Sequence, residues 1–216
     1  MKSLIFVLSS KQLMDKKLTI LLLAACLLGA SCCSVREKRV FPLEEMTEGD
    51  LAFRCGRGVF SRAVTAAEEE GFYSHVGVVV KDDGKWKVVH AVPGERESKT
   101  DFDRVKMEDL EVFYSRERAL RGCLVHTGLT DSVLVAGLCR SAVEMARDSV
   151  RFDNDYNLED ASELYCTEFV WRLYRDCGID LSEGRRKFVR AFHINGDVLL
   201  PEHLLAYAYN DVYYSF

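Results

Sequence analysis

The sequence predicts a domain that combines antiparallel strands with helices. Three stretches carry that expectation. Tyr73 to Lys81 and Trp86 to Val92 are rich in β-branched and aromatic residues, and Asp82-Asp83-Gly84-Lys85 joins them. Asp-Gly between two such runs is a strong hairpin signal. Asp131 can cap a helix to about Asp148, along which Val135, Leu138, Cys139, Ala142 and Ala146 form one apolar stripe. Cys166, Phe169, Val170, Leu173, Tyr174 and Cys177 recur at steps of three and four, the period of a helix with one buried face, and Gly178 follows as its stop.

At 216 residues the chain has the length of one globular domain with a leader, and its 48% hydrophobic content is ample for a core. A net charge of −5, with both signs spread along the chain, leaves no basic surface, so nucleic acid is not an expected partner. The eight cysteines show no CxxC pairs, which indicates neither a zinc ribbon nor a small disulfide scaffold.

Residues 1–40 are expected to stand apart from the fold, which occupies 41–216. Lys16-Lys17 is a short basic region. Leu18 to Ala30 is an apolar run too short to cross a bilayer comfortably and of the size of a signal-peptide core. With Gly29-Ala30-Ser31-Cys32-Cys33 behind it, this leader resembles a bacterial lipoprotein signal, in which the cysteine after the cleavage site is lipidated. Leu23-Ala24-Ala25-Cys26 fits the lipobox pattern better. Cys32 leaves a more usual apolar length if translation starts at Met14, and it is the favoured site. Ser34 to Arg39 is then a polar tether. The implied address is the bacterial cell envelope, with the protein held at the membrane by its lipid. A plain secretory signal or an anchor helix is the alternative.

Within the domain, Glu48-Gly49-Asp50 is a turn and Leu51-Ala52-Phe53 a short strand. Ser61 can cap a helix running to Glu70, with Gly71 ending it, and Glu68-Glu69-Glu70 reads as a solvated face. Pro93-Gly94 ends the second hairpin strand. The polar stretch Glu95 to Asp109 reads as a long loop, either a lid or substrate wall or a solvated crossover. Val112-Phe113-Tyr114 and Cys123-Leu124-Val125-His126 look like two further strands. Phe152 to Asp160 is acidic and irregular. Asp180 to Phe216 holds loops and short elements rich in Tyr.

The chemistry centres on Cys166. A thiol in the first turn of a helix feels the positive end of the macrodipole, which favours thiolate. Strand alternation places His75, Gly77 and Val79 on one side of the hairpin, and Trp86, Val88, His90 and Val92 on one side of its second strand. A two- or four-residue loop pairs Lys81 with Trp86, and counting outward pairs Gly77 with His90 and His75 with Val92. The two histidines then share a face, and Gly77 leaves room for the His90 imidazole to lean across. A three-residue loop would separate them. One imidazole can take a proton from the thiol while the other fixes its tautomer. Taken singly, a core cysteine and hydrogen-bonded strand histidines are the simpler reading; the conjunction carries the functional one. His126, His193 and His203 have no comparable partner. Glu168 points away from the Cys166 side of its helix. Cys55, Cys123, Cys139 and Cys177 are either core thiols or, in an oxidising envelope, bridged.

Glu48-Gly49-Asp50-Leu51, Tyr73-Ser74-His75-Val76-Gly77-Val78-Val79, Val88-Val89-His90-Ala91 and Tyr165-Cys166-Thr167-Glu168-Phe169-Val170 together resemble the circularly permuted branch of the NlpC/p60 papain-like superfamily. The pattern is nearest to YiiX-like lipoproteins, with lecithin retinol acyltransferase-type enzymes more distant. The resemblance covers about residues 41–216 and has the permuted order, His before Cys. It implies an α+β fold in which a small antiparallel sheet packs on the helix carrying the nucleophile. It implies Cys166 as nucleophile, His75 as base and His90 as the third polar residue, a place where many YiiX-like members carry glutamate.

The expected activity is a cysteine hydrolase of amidase or peptidase type, working through an acyl-thioester without cofactor or metal. Cell-wall peptides or acyl lipids are the substrates within reach of an envelope protein. An acyltransferase is the alternative within the same chemistry. The rivals are a zinc site built from Cys166, His75 and His90, and a catalytically silent binding module.

Overall fold

The computed structural model describes residues 39–191 and 194–216, of which Phe41–Phe216 form a compact unit. Cys26 and Cys32, the leader apart from Arg39 and Val40, and His193 lie outside the described residues. The elements are strands β1 (Leu51–Cys55), β2 (His75–Asp82), β3 (Lys85–Val92), β4 (Arg104–Asp109), β5 (Arg121–Val125), β6 (Lys187–Ala191), β7 (Ile194–Val198) and β8 (Val212–Ser215). Helices are α1 (Val59–Ala67), α2 (Leu110–Phe113), α3 (Ser132–Arg147), α4 (Cys166–Asp176) and α5 (Pro201–Leu205).

One antiparallel sheet in the order β4-β3-β2-β1-β5-β8 organises the domain, and β6-β7 form a separate hairpin. The fold is α+β. The central hairpin turns through Asp83 and Gly84, whose φ angles of 48° and 75° are both positive, as a two-residue type I′ turn requires. Asp82 therefore pairs with Lys85 and Lys81 with Trp86. Pairing is regular from there to Val78 and Val89.

The valine-rich β2 is buried on both faces because the sheet is covered on both. On one side Val76, Val78, Val80, Val89, Ala91 and Val105 pack beneath α3 and α4, against Leu138, Ala142, Phe169, Val170 and Leu173. On the other Ala52, Val79, Val88 and Leu124 meet Leu110, Phe113, Tyr114 and Ala119. Asp131 caps α3, its carboxylate accepting the N–H groups of Val133 and Leu134.

Four local expectations change. The stretch expected to be a loop to Asp109 contains β4, whose alternate positions Arg104, Lys106 and Glu108 are charged and mask its period of two. Val112 and Phe113 are helical, in α2, not a strand. Helix α1 starts at Val59, ahead of Ser61, whose hydroxyl accepts from Ser74 at 2.8 Å instead of capping. The helix ends at Ala67 rather than Glu70, and the Glu68-Glu69-Glu70 run after it departs from a solvated face, because Glu68 is 8% exposed. Cys55, Cys123, Cys139, Cys166 and Cys177 are free thiols.

Candidate active site

Cys166 opens α4, and Tyr165 before it is extended. Leu199 clasps both neighbours of the cysteine: its N–H donates to the Tyr165 hydroxyl at 3.0 Å, and its carbonyl accepts from the Thr167 hydroxyl at 2.8 Å. These bonds fix the head of the helix to the segment between β7 and α5.

The sulfur accepts the backbone N–H of Val76, the residue after His75. Val79 gives its N–H to Asp50, on the β1 side, so alternation turns the N–H groups of Val78 and Val76 toward β3. Val78 finds its partner in Val89, the last regular pair of the ladder. Beyond that pair, the N–H of Val76 goes to the thiol. The sulfur thus takes the place of a strand partner, next along the chain to His75.

Burial pushes the Cys166 thiol up to about 11, against the pull of the Val76, Thr167 and Cys166 N–H groups and the Arg54 charge. The expected resting thiolate is therefore not formed. The dipole and the amides act on the sulfur, but loss of water outweighs them.

His75 and His90 meet edge to face, with ring centroids 4.9 Å apart, and His75 Nε2 lies 2.7 Å from His90 Nδ1. Gly77 permits this approach. A Cβ there would stand 2.9 Å from the His90 Cβ and 2.8 Å from the Val89 carbonyl oxygen. His90 Nε2 in turn lies 3.0 Å from Glu108 Oε1. Burial, with the hydrogen bond from His90 and the Arg118 guanidinium working against it, leaves the Glu108 carboxyl lowered to about 2, so it is ionised.

The proton positions follow. An ionised Glu108 requires a proton on His90 Nε2. Burial lowers the pKa of His90 despite the pull of Glu108, so the ring is neutral and its Nδ1 is an acceptor. His75 Nε2–H then donates to it, and His75 Nδ1 carries the free lone pair. Burial, then the Arg54 charge, and repulsion from His90 whenever that ring is protonated, hold His75 well below the ordinary imidazole value. The site pairs a neutral thiol with a neutral base.

Glu108 is a functional candidate that sequence reasoning misses, because the charged stretch holding β4 resembles a loop. The alternation Val105-Lys106-Met107-Glu108 was the available signal. Around it Arg118 pairs with both Glu108 and Glu95, and Arg54 bonds Glu95 at 2.5 Å while lying over the Phe113 ring at 4.4 Å. Phe113 packs edge-on against His90 with centroids 5.1 Å apart.

The other candidates fall elsewhere. Glu168 is fully buried and accepts from Arg172 at 2.8 Å, one turn further along α4. His126 has a partner after all, Asp50 at 2.9 Å, and stacks on Tyr213. His203 accepts the Leu200 N–H at 3.1 Å and caps α5. A three-ligand zinc site from Cys166, His75 and His90 does not assemble, because both nitrogens of His90 are committed to His75 and Glu108. Among the described residues no cluster of three or more His, Cys, Asp or Glu is placed to hold a metal ion.

A family model described as "permuted papain-like amidase enzyme, YaeF/YiiX, C92 family" matches residues 45–198. Among solved structures, the chain is similar to the metalloprotein YiiX from Escherichia coli O157:H7. The two are 19% identical, with a TM-score of 0.59 over 74% of this chain and 91% of that one. At that identity the likeness concerns the fold. No curated protein matches the chain.

Proposed function

The chain belongs to the permuted papain-like amidase family of YaeF and YiiX, and from that premise we propose that Cys166 is its nucleophile, His75 its base, and His90 with Glu108 the pair that orients the base. The observation that carries this reading is the hydrogen-bonded series His75–His90–Glu108, which ends on an ionised carboxylate and leaves His75 Nδ1 free.

As substrate enters, the S–H proton moves to His75 Nδ1 while the sulfur bonds to the amide carbonyl carbon. The imidazolium so formed is held through His90 by Glu108. The oxyanion is received by the N–H of Cys166 at the helix head. The C–N bond then breaks, and the departing amine takes the proton back from His75. Water, activated by the same nitrogen, attacks the thioester and frees the acid. An acceptor amine or alcohol in place of water would make the reaction an acyl transfer.

A site with a neutral resting thiol is suited to proton transfer at the moment of attack, as in a serine hydrolase, rather than to a standing ion pair. The substrates we propose are cell-wall peptides or acyl-lipid-like amides and esters, reached from an envelope position. That position rests on the leader pattern of residues 1–40. The test is turnover of a panel of peptide amides by the wild type and by Cys166→Ser, which should lose at least about 10³-fold in kcat. Activity that stops with a chelator and returns with zinc would replace this reading with a metal-dependent one, of the kind the metalloprotein YiiX brings to mind.

A further inference from the structure

Helix α1 buries none of its residues. A surface helix ordinarily turns its apolar stripe to the core and its polar residues to water. This one does the reverse. Its inner side is polar: Ser61 accepts from the Ser74 hydroxyl at 2.8 Å, and Gly56 fits beneath it, where any Cβ would collide with the Ser61 hydroxyl. One turn on, Thr65 lies against Gly71, at which a Cβ would stand 2.8 Å from the Thr65 carbonyl oxygen. The outer side is Val59, Ala63 and Ala66, at steps of four and three, with Phe60 and Arg62 on its flanks. Val59 and Phe60 are 67% and 66% exposed.

The surface around this stripe is apolar and basic. Leu120 is exposed and donates its N–H to Cys55, two residues before Arg57, and exposed Phe72 lies under the Arg121 guanidinium at 5.6 Å. Arg57, Arg62 and Arg121 hydrogen-bond only to backbone carbonyls, those of Arg116 at 2.6 Å, Arg57 at 3.3 Å and Gly71 at 3.3 Å. Among the described residues none of the three has a carboxylate partner, so their charges are left for something outside the fold. No acidic residue falls within α1, although the whole chain carries a net charge of −5.

We propose that α1, with Leu120 and Phe72 beside it, is a docking surface for an anionic phospholipid bilayer, its Val59–Phe60 stripe entering the headgroup layer and Arg57, Arg62 and Arg121 meeting lipid phosphates. An outward apolar stripe flanked by arginines is what an in-plane interfacial helix requires, and a patch of this kind on an acidic protein is matched by an apolar, negatively charged surface. A second copy seated on the same face would set the arginines against their own equivalents. Because Ser61 is bonded to Ser74, whose neighbour is His75, the docked helix holds the head of β2 close to the lipid. The inference concerns binding and stands apart from the amidase reading.

Hydrogen–deuterium exchange with mass spectrometry reads α1 directly. The full chain is used with Cys26 and Cys32 changed to serine, so that neither can carry a lipid. It is followed alone, with phosphatidylcholine vesicles, and with vesicles of equal parts phosphatidylcholine and phosphatidylglycerol. The α1 amides should exchange at least about ten-fold more slowly on the anionic vesicles and at an unchanged rate on the neutral ones. Val59→Ser with Phe60→Ser, and separately Arg57→Gln with Arg62→Gln, should each remove most of that protection; all four side chains are exposed, so the core is untouched. Anionic vesicles that leave α1 exchange unchanged overturn the proposal, even if the chain sediments with them. So does equal protection on neutral and anionic vesicles. Protection already present without vesicles and growing with protein concentration also overturns it, and assigns the face to a second copy. Turnover of a soluble peptide amide is read separately and should survive the serine pair; docking by a protein that cleaves no amide would leave the surface standing and remove the amidase reading.

Discussion

At the scale of single residues, the protonation of Cys166 and His75 decides how the site works. With the thiol pushed up to about 11 and His75 held below its ordinary range, neither is charged at neutral pH. Alkylation of Cys166 by iodoacetamide should therefore keep accelerating from pH 7 to pH 9. A plateau reached below pH 7 would mean a standing thiolate. The same depressed imidazole keeps the base unprotonated below pH 6.5, so kcat/KM should hold its value further into acid than a free histidine would allow. Glu108 matters through His90. Glu108→Gln and His90→Ala should each lower kcat by about ten- to a hundred-fold, as loss of an orienting partner does. The double variant should be little worse than either, because both cut one relay. A glutamate at position 90 would here face ionised Glu108. His90→Glu alone should be poor, and His90→Glu with Glu108→Gln should recover activity; a double variant no better than the single one would contradict the relay. Cys166, His75 and His90 could be singled out from residue type and spacing. Glu108 could not, since every alternate residue of its strand is charged and the run has the look of a solvated loop.

At the scale of elements, the hairpin carries the site. Its I′ turn sets the register that brings two histidines to one face, and Gly77 lets one lean on the other. Gly77→Ala would drive a Cβ to 2.6 Å from Val88 Cγ1 and 2.8 Å from the Val89 carbonyl oxygen, and the carbonyl cannot yield without moving β3. Thermal unfolding should report a loss of about 1–3 kcal/mol, and activity should fall with the displaced His90. Helix α4 holds a second titratable load. Burial raises the Glu168 carboxyl to about 7, with Arg172 opposing. A folded-state value above the unfolded one gives stability that is complete below about pH 4.5 and is lost as pH rises through 7. The difference in Tm between Glu168→Gln and wild type should therefore move in favour of the variant from pH 5 to pH 8; a difference flat with pH would show that Glu168 does not titrate there. The acidic run Glu68-Glu69-Glu70 shows why such features escape a sequence reading. Nothing local marks Glu68 as buried; α5, more than 130 residues away, covers it.

At the scale of the whole molecule, a sheet covered on both faces lets one strand serve two sides. The helical layer delivers Cys166 to the end of the β2–β3 ladder, and the opposite layer, with Phe113 and the Arg54–Glu95–Arg118 network, encloses the histidines. Periodicity made the helices and the hairpin legible. It could not give the six-strand order, because β1 pairs with β5 and β5 with β8 across long stretches of chain that no local pattern links. Among the described residues no helix is long and apolar enough to cross a membrane. The central claim is that amide cleavage passes through an acyl group on one sulfur. The most direct measurement is intact-protein and peptide mass spectrometry after rapid quenching of the wild type with a turned-over peptide amide. The account predicts an added acyl mass on the peptide containing Cys166, removed by hydroxylamine and absent from Cys166→Ala. Hydrolysis that proceeds with no adduct and survives in Cys166→Ala would contradict it.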